Sequence, residues 1–240
     1  MFLGEPPPTQ ADLHFRLFGI PVRVHPFFWV VALLLGMGGR KADPLITLIW
    51  VVVVFVSIVV HEMGHAFVQR YYGGRPWITL YSFGGLASCD DCDRSPRAQI
   101  LISLAGPFAG FFFAGFVVSL LVALQRFEGF ELDWIPVVWT PFESPPLEIG
   151  LRILMFVNIA WGALNLLPIY PLDGGRIARE LFTLGNPRAG IIQSLQLSVG
   201  AAILVAVYAL TRQLFFMCIM FGFLAYGSFQ TLREYRNRWR

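Results

Sequence analysis

The sequence predicts an all-α, polytopic membrane protein of about six transmembrane helices, with a small β-rich segment at the membrane edge after the second. Three observations predict it. Hydrophobic residues make up 56% of the 240 residues and charged residues only 14%, with a mean hydropathy of +0.64; soluble chains carry about 25% charged residues. The apolar residues gather into six runs separated by breaks rich in Gly, Pro and Arg, several of them near the ~20 residues that a helix needs to cross a bilayer. The stretch Trp77–Tyr81 is β-prone, and Gly84–Gly85 would bend an extended piece beside it. The net charge of +3 and the dispersed arginines give no footprint for nucleic acid. Three cysteines make no disulfide framework.

Taken in order, residues 1–13 read as a polar, proline-bearing, disordered tail without a signal peptide. Residues 14–26 read as a short extended segment at the membrane surface, with Arg16 and Arg23 in the headgroups and His25 at the interface. Run one, Phe27–Met37, is short for a span, and residues 38–44 form a turn. Run two, Leu45–Tyr72, is about 42 Å long as a helix. The loop 73–95 follows. Run three, Ala98–Leu124, carries Gly106, Gly110 and Ala114 at four-residue steps, a spacing read as close helix packing in lipid. Residues 125–148 form a polar loop with five acids and four prolines. Run four is Ile149–Leu167; a proline-interrupted turn and a short helix over 175–184 follow it. Runs five and six are Ala189–Leu210 and Leu214–Phe229, and a basic tail closes the chain. The domain reading is a tail and interfacial segment over 1–26, one transmembrane domain over 27–235 and a basic tail over 236–240.

With both termini on one side, that side collects 13 of the 18 Lys and Arg and the other side 5. The positive-inside rule then makes both termini cytoplasmic, in what is expected to be the plasma membrane. The end of run two and its polar residues lie toward the cytoplasmic face, and the acidic loop 125–148 faces outward.

The chemistry is concentrated in run two, VVVVFVSIVVHEMGHAFVQRYY. His61 and His65 are four residues apart, so on a helix they face the same way one turn apart. That is HExxH, in which two imidazoles bind zinc and the glutamate, here Glu62, is a general base. Ionisable groups at bilayer depth are costly, and function is their default reading. Histidines hydrogen-bonded within a bundle are the plainer alternative, but they leave Glu62 unexplained. A catalytic zinc takes three protein ligands and one open position. Asp173, in PLDGG after run four and on the same side as the end of run two, is the carboxylate placed to be the third. Pro168, Pro171, Gly174 and Gly175 let the backbone turn there. Alone, Asp173 would read as an N-cap of helix 175–184; beside an incomplete zinc site, ligation is favoured.

HEMGHAF in one membrane run and NLLPIYPLDGGR after a later one resemble the site-2 protease family of intramembrane zinc proteases. The resemblance runs from LFGIPVRVHP to the basic tail, in the form of a minimal core without PDZ or CBS domains. It implies His61, His65 and Asp173 as Zn2+ ligands, Glu62 as catalytic base, and Asn165 as a polar group near the scissile carbonyl. It implies that SFGGLAS pairs with an unwound substrate segment. AlaGlyPro at 105–107 also matches, while the family has an Asn where Gly110 stands.

The expected function is hydrolysis of peptide bonds in transmembrane segments of single-span, membrane-tethered proteins, as in regulated intramembrane proteolysis or the clearing of signal-peptide remnants. A metal- or proton-coupled transporter and an inactive membrane binding partner are the alternatives; the absence of an internal repeat weighs against the first. The bilayer is the expected surrounding and nucleic acid is not expected as a partner. Asn158 reads as an interhelical hydrogen-bonding residue. Cys89 and Cys92 read as reduced thiols on a surface turn, with half a zinc site or a redox switch as remote alternatives.

Overall fold

A computed structural model describes residues 5–37, 43–82, 84–131 and 136–237. Among them are seven helices: α1 (Pro26–Gly36), α2 (Pro44–Tyr71), α3 (Pro96–Ala123), α4 (Pro145–Asn165), α5 (Asp173–Thr183), α6 (Pro187–Thr211) and α7 (Phe215–Asn237). Five of them, α2, α3, α4, α6 and α7, are long and apolar enough to cross a membrane. The sixth expected span is α1, an apolar helix of only 11 residues, about 16 Å of rise. The turn expected over 38–44 lies mostly outside the described residues.

The chain divides into two compact units, residues 1–93 with 105–163, and 94–104 with 164–240. The first is built on α2. Asp43 caps it, accepting from the backbone N–H groups of Leu45 and Ile46 at 2.8 and 3.4 Å. Val54, Ile58, Val59, Met63 and Ala66 form one buried stripe of α2 at helical spacing. They pack against a four-stranded sheet in the order β1 (Leu13–Leu17), β2 (Ile20–Val24), β3 (Arg75–Tyr81), β4 (Gly84–Asp90). Strands β1 and β2 form a hairpin across Phe18 and Gly19, both at positive φ, the conformation that two-residue hairpin turns demand. β2 runs parallel to β3, with α1 and α2 as the crossover, and β3 pairs antiparallel with β4. Ile20, Val22, Val24, Ile78, Leu80 and Ala87 alternate onto the face that packs on α2. The sheet is therefore larger than the sequence suggests: residues 14–26 are a hairpin of it, and parallel pairing over 50 residues of intervening chain leaves no local signal.

Three other expectations change. Residues 5–12 of the expected disordered tail lie on this sheet, with Glu5 hydrogen-bonded to Arg23, Trp77 and Thr79. Within the polar loop 125–148, β5 (Phe127–Phe130) and β6 (Val137–Trp139) pair as a small antiparallel sheet; Val137 and Trp139 are buried with Leu121 and Met155. Cys89 and Cys92 form a disulfide in place of the expected reduced thiols. Their sulfurs close over Gly74, where any side chain would collide with them; the β3–β4 pairing brings these segments together. The C-terminal helix α7 runs on to Asn237, into the basic tail.

In the second unit α6 and α7 pack along their lengths, and α5 packs on α6. Ile169, Ala202, Phe221 and Ala225 form its core. Large apolar side chains stay exposed along the long helices, among them Phe112, Phe116 and Leu120 at four-residue steps on α3. A continuous apolar stripe of that kind faces lipid. The protein is an integral, multi-pass membrane protein of mostly helical fold.

Candidate metal centre

The C-terminal half of α2 holds His61, Glu62 and His65. Helical spacing alone stacks the two imidazoles one turn apart. Their Nε2 atoms lie 3.2 Å apart and their ring planes are 79° to each other. Two nitrogens bound to one tetrahedral zinc at ~2.05 Å stand about 3.3 Å apart. The separation fits such an ion, and it also lies within hydrogen-bond reach of one imidazole for the other.

What keeps the space at these nitrogens open is a glycine on α3. A Cβ at Gly106 would fall 2.7 Å from His61 Nε2 and closer still to His65 Nε2. One turn away on α2, Gly64 does the same for the backbone: a Cβ there would meet the Ala105 carbonyl and Ala109. Gly64 brings α3 against α2, and Gly106 leaves room for what the imidazoles hold. The sequence reading gave Gly106 to helix packing only; the structure adds this second role. Its signal was its place in AlaGlyPro, but a small residue in a membrane helix reads as packing until its neighbour is known.

Glu62 is buried, 6% exposed. Strand β4 runs against it, since a Cβ at Gly85 would overlap its Cγ, Cδ and Oε1. Strand β4 is thus held beside the general-base candidate with nothing but backbone between. Gln69, one turn past His65, fixes β4 from the other end by donating Nε2 to the Ala87 carbonyl at 3.1 Å. Farther back on α2, Ser57 accepts from Asn158 Nδ2 at 2.9 Å, so Asn158 has the interhelical role expected of it. Asn158 lies in a π-helical stretch of α4, Phe156–Trp161, and its carbonyl and Oδ1 would each be 3.3 Å from a Cβ at Gly110. Asn158 thus packs closely against Gly110.

Asp173 and Asn165 belong to the other unit. Asn165 is the last residue of α4, half-buried. Asp173 is buried, 6% exposed, and is the first helical residue of α5; the N-cap is Leu172. The N-cap position considered for Asp173 is therefore held by Leu172. The two glycines after it are required by the turn: a Cβ at Gly174 would overlap the Leu166 carbonyl, and one at Gly175 the backbone of Ile169 and Tyr170. Two buried serines hold this turn. Ser198 on α6 accepts from the Tyr170 N–H at 2.7 Å, Ser228 on α7 donates to the Tyr170 carbonyl at 3.0 Å, and the two hydroxyls lie 2.8 Å apart. Neither serine was singled out by sequence; their signal is a hydroxyl on an apolar helix where no water reaches.

His61 and His65 each offer an imidazole nitrogen in the first unit, and Asp173 offers a carboxylate oxygen in the second. Two imidazole nitrogens and one carboxylate oxygen are a catalytic zinc's donor chemistry.

Residues 49–146 and 147–207 match the sequence model of peptidase family M50. The chain belongs to that family. It is 25% identical over 225 residues to a zinc metalloprotease of Methanocaldococcus jannaschii, covering 91% of this chain and 60% of that protein. It is 26% identical over 171 residues to stage IV sporulation protein FB of Bacillus subtilis, covering 70% of this chain and 50% of that one. The chain thus spans half to three-fifths of the length of these relatives. In fold it resembles the site-2 protease from Methanocaldococcus jannaschii, with a TM-score of 0.59 and 24% identity over 91% of this chain and 94% of that chain. His61, Glu62 and His65 all lie within the first matched segment.

Proposed function

We propose that this M50 protein is a zinc-dependent endopeptidase that cuts within the membrane segment of single-span proteins, with His61, His65 and Asp173 as ligands. The observation that carries the reading is the imidazole pair, 3.2 Å apart beside a buried glutamate on a membrane-spanning helix. Zinc, when bound, polarises the scissile carbonyl and acidifies the attacking water. Glu62 accepts the proton of that water and passes it to the nitrogen of the departing amine, so one water is consumed for each peptide bond broken. Asn165 donates a hydrogen bond to the oxygen of the attacked carbonyl, a contact of a kind worth ~10²–10³ in rate.

A helical substrate hides its carbonyls in its own hydrogen bonds. Strand β4, whose strand partner in the four-stranded sheet is β3, pairs with an unwound stretch of substrate and holds it extended beside Glu62. Both termini are cytoplasmic, as the distribution of arginines supports, and the membrane is the plasma membrane.

The test uses purified protein in detergent and a single-span reporter, comparing wild type with Glu62→Gln and assaying zinc in both. Cleavage by wild type alone, at least ~10³-fold above the variant, with one zinc in each, is expected. A folded, chelator-free preparation without zinc would overturn the proposal.

A further inference from the structure

The face of the four-stranded sheet turned away from α2 carries a second cluster that zinc chemistry does not use. The register places His14 of β1, Arg23 of β2 and Thr79 of β3 in one row across the strands. Their neighbours Val22, Val24, Ile78 and Leu80 point into the core on the opposite face. Trp77 stands two residues before Thr79, on the same side. With Glu5 they line an open groove of about 660 Å³.

Two carboxylates meet this cluster, Asp12 at Arg23 Nη1 and Glu5 at the donors that remain. Glu5 accepts from Arg23 Nη2 at 3.1 Å, from Trp77 Nε1 at 3.2 Å and from the Thr79 hydroxyl. The same Arg23 nitrogen donates to the Pro6 carbonyl at 2.8 Å, and its Nη1 donates to Asp12 at 3.2 Å. Thr79 is 1% exposed and the Arg23 side chain 13%. Three donors of different chemistry, fixed on two adjacent strands, thus meet at one acidic group. The arginine also reads the next backbone carbonyl, which requires the bound chain to be extended there. Three prolines in succession, Pro6–Pro8, supply that shape, since such a run holds an open backbone without internal hydrogen bonds. The donors belong to a rigid sheet, whereas the acid arrives on a segment outside any helix or strand.

We propose that this face is a recognition site for a carboxylate on an extended peptide, filled here by the chain's own Glu5 and open to an acidic residue of another chain when Glu5 leaves. Arg16, opposite Pro21 on the same face, adds positive charge at the groove's rim. The site stands independently of the zinc reading, because it lies on the far side of the sheet from Glu62.

A tethered ligand sits at an effective concentration in the millimolar range, so a free peptide meets an occupied site in the wild-type chain. The experiment measures fluorescence anisotropy of labelled Gly-Glu-Pro-Pro-Gly, amidated at its C-terminus, against the full chain in detergent. Glu5→Ala is expected to bind it at least ~10-fold more tightly than wild type does. Replacing the peptide's glutamate by glutamine is expected to weaken binding at least ~10-fold, the loss of charge-assisted hydrogen bonds. Adding Thr79→Val or Arg23→Gln to Glu5→Ala removes binding, and adding Thr79→Ser, which keeps the hydroxyl, retains it. A second peptide, Gly-Gly-Pro-Pro-Gly with a free carboxyl end, separates a terminal carboxylate from a side-chain one; saturable binding of either peptide supports the site. No saturable binding of either to Glu5→Ala at millimolar peptide, or equal binding of the Glu and Gln peptides, would overturn it.

Discussion

Helix α2 and the turn before α5 solve the same problem, holding a donor group in an apolar surrounding, by opposite means. On α2 the backbone is regular and satisfies its own hydrogen bonds, so His61 and His65 are aligned by periodicity and nothing else is needed to pair them. Before α5 the backbone is irregular, and in lipid irregular backbone must find partners within the protein. It finds them in two serines on two other helices, which take both backbone groups of Tyr170. Donors on a regular helix are robust to changes elsewhere; a donor on a turn is only as well placed as the distant residues that hold the turn.

Breaking the turn at its tightest point should have the largest effect. Gly174→Ala forces a Cβ into the Leu166 and Leu167 backbone, which cannot move aside as a side chain could. We expect loss of reporter cleavage by more than ~100-fold, as for a donor misplaced by about 1 Å. The α2 imidazoles should keep their arrangement, read by the chemical shifts of labelled histidines. Gly106→Ala acts on α2 instead, by closing the space at the nitrogens. Zinc affinity should fall ~10–100-fold, the range for disturbed surroundings of a metal ligand, with thermal unfolding of the apoprotein little changed. An unchanged zinc affinity would show that α3 does not limit the site.

Smaller effects sharpen the contrast. Ser198→Ala and Ser228→Ala each strand a buried backbone group of Tyr170, at a cost of about 1–3 kcal/mol. Because the two hydroxyls touch, the double variant should cost less than the sum, which a double-mutant cycle in detergent unfolding reads. Asn158→Ala should cost only ~0.6 kcal/mol, the average for a bond between membrane helices. The smallest effect lies outside the membrane. Thr9's hydroxyl donates to Asp12 and, with the Thr9 N–H and Arg23, holds its carboxyl below its ordinary value of 3.8 despite the opposing effect of desolvation. A lowered native value means the interaction is fully present above pH 3.8 and fades as the pH falls through the native value. Hydrogen exchange at residues 9–12 should therefore speed up in acid relative to an Asp12→Asn chain, which has no such transition.

Much of this molecule was legible before any coordinates. Hydrophobic runs end at Pro, Gly and Arg, so the bounds of α2, α3 and α6 follow from the sequence to within about two residues. Residues His61, Glu62 and His65 were legible because helical spacing is local. The same logic failed where partners are remote in sequence. Nothing near residues 14–24 says that β2 pairs with β3 on the far side of two helices, and nothing near Glu5 says that Arg23, Trp77 and Thr79 meet it. The Cys89–Cys92 spacing left reduced thiols and a redox pair both open, and the structure has the disulfide, packed over Gly74.

By itself, then, the sequence determined the membrane-embedded class, the helices and the pair of imidazoles, because burial in lipid and helical period act on neighbouring residues. Only the tertiary structure decided which glycines are spaces rather than hinges, which serines hold the turn before Asp173, and what the polar face of the sheet grips. Those are contacts between segments far apart in the chain, fixed by the need to fill apolar volume and to satisfy every buried polar group at once.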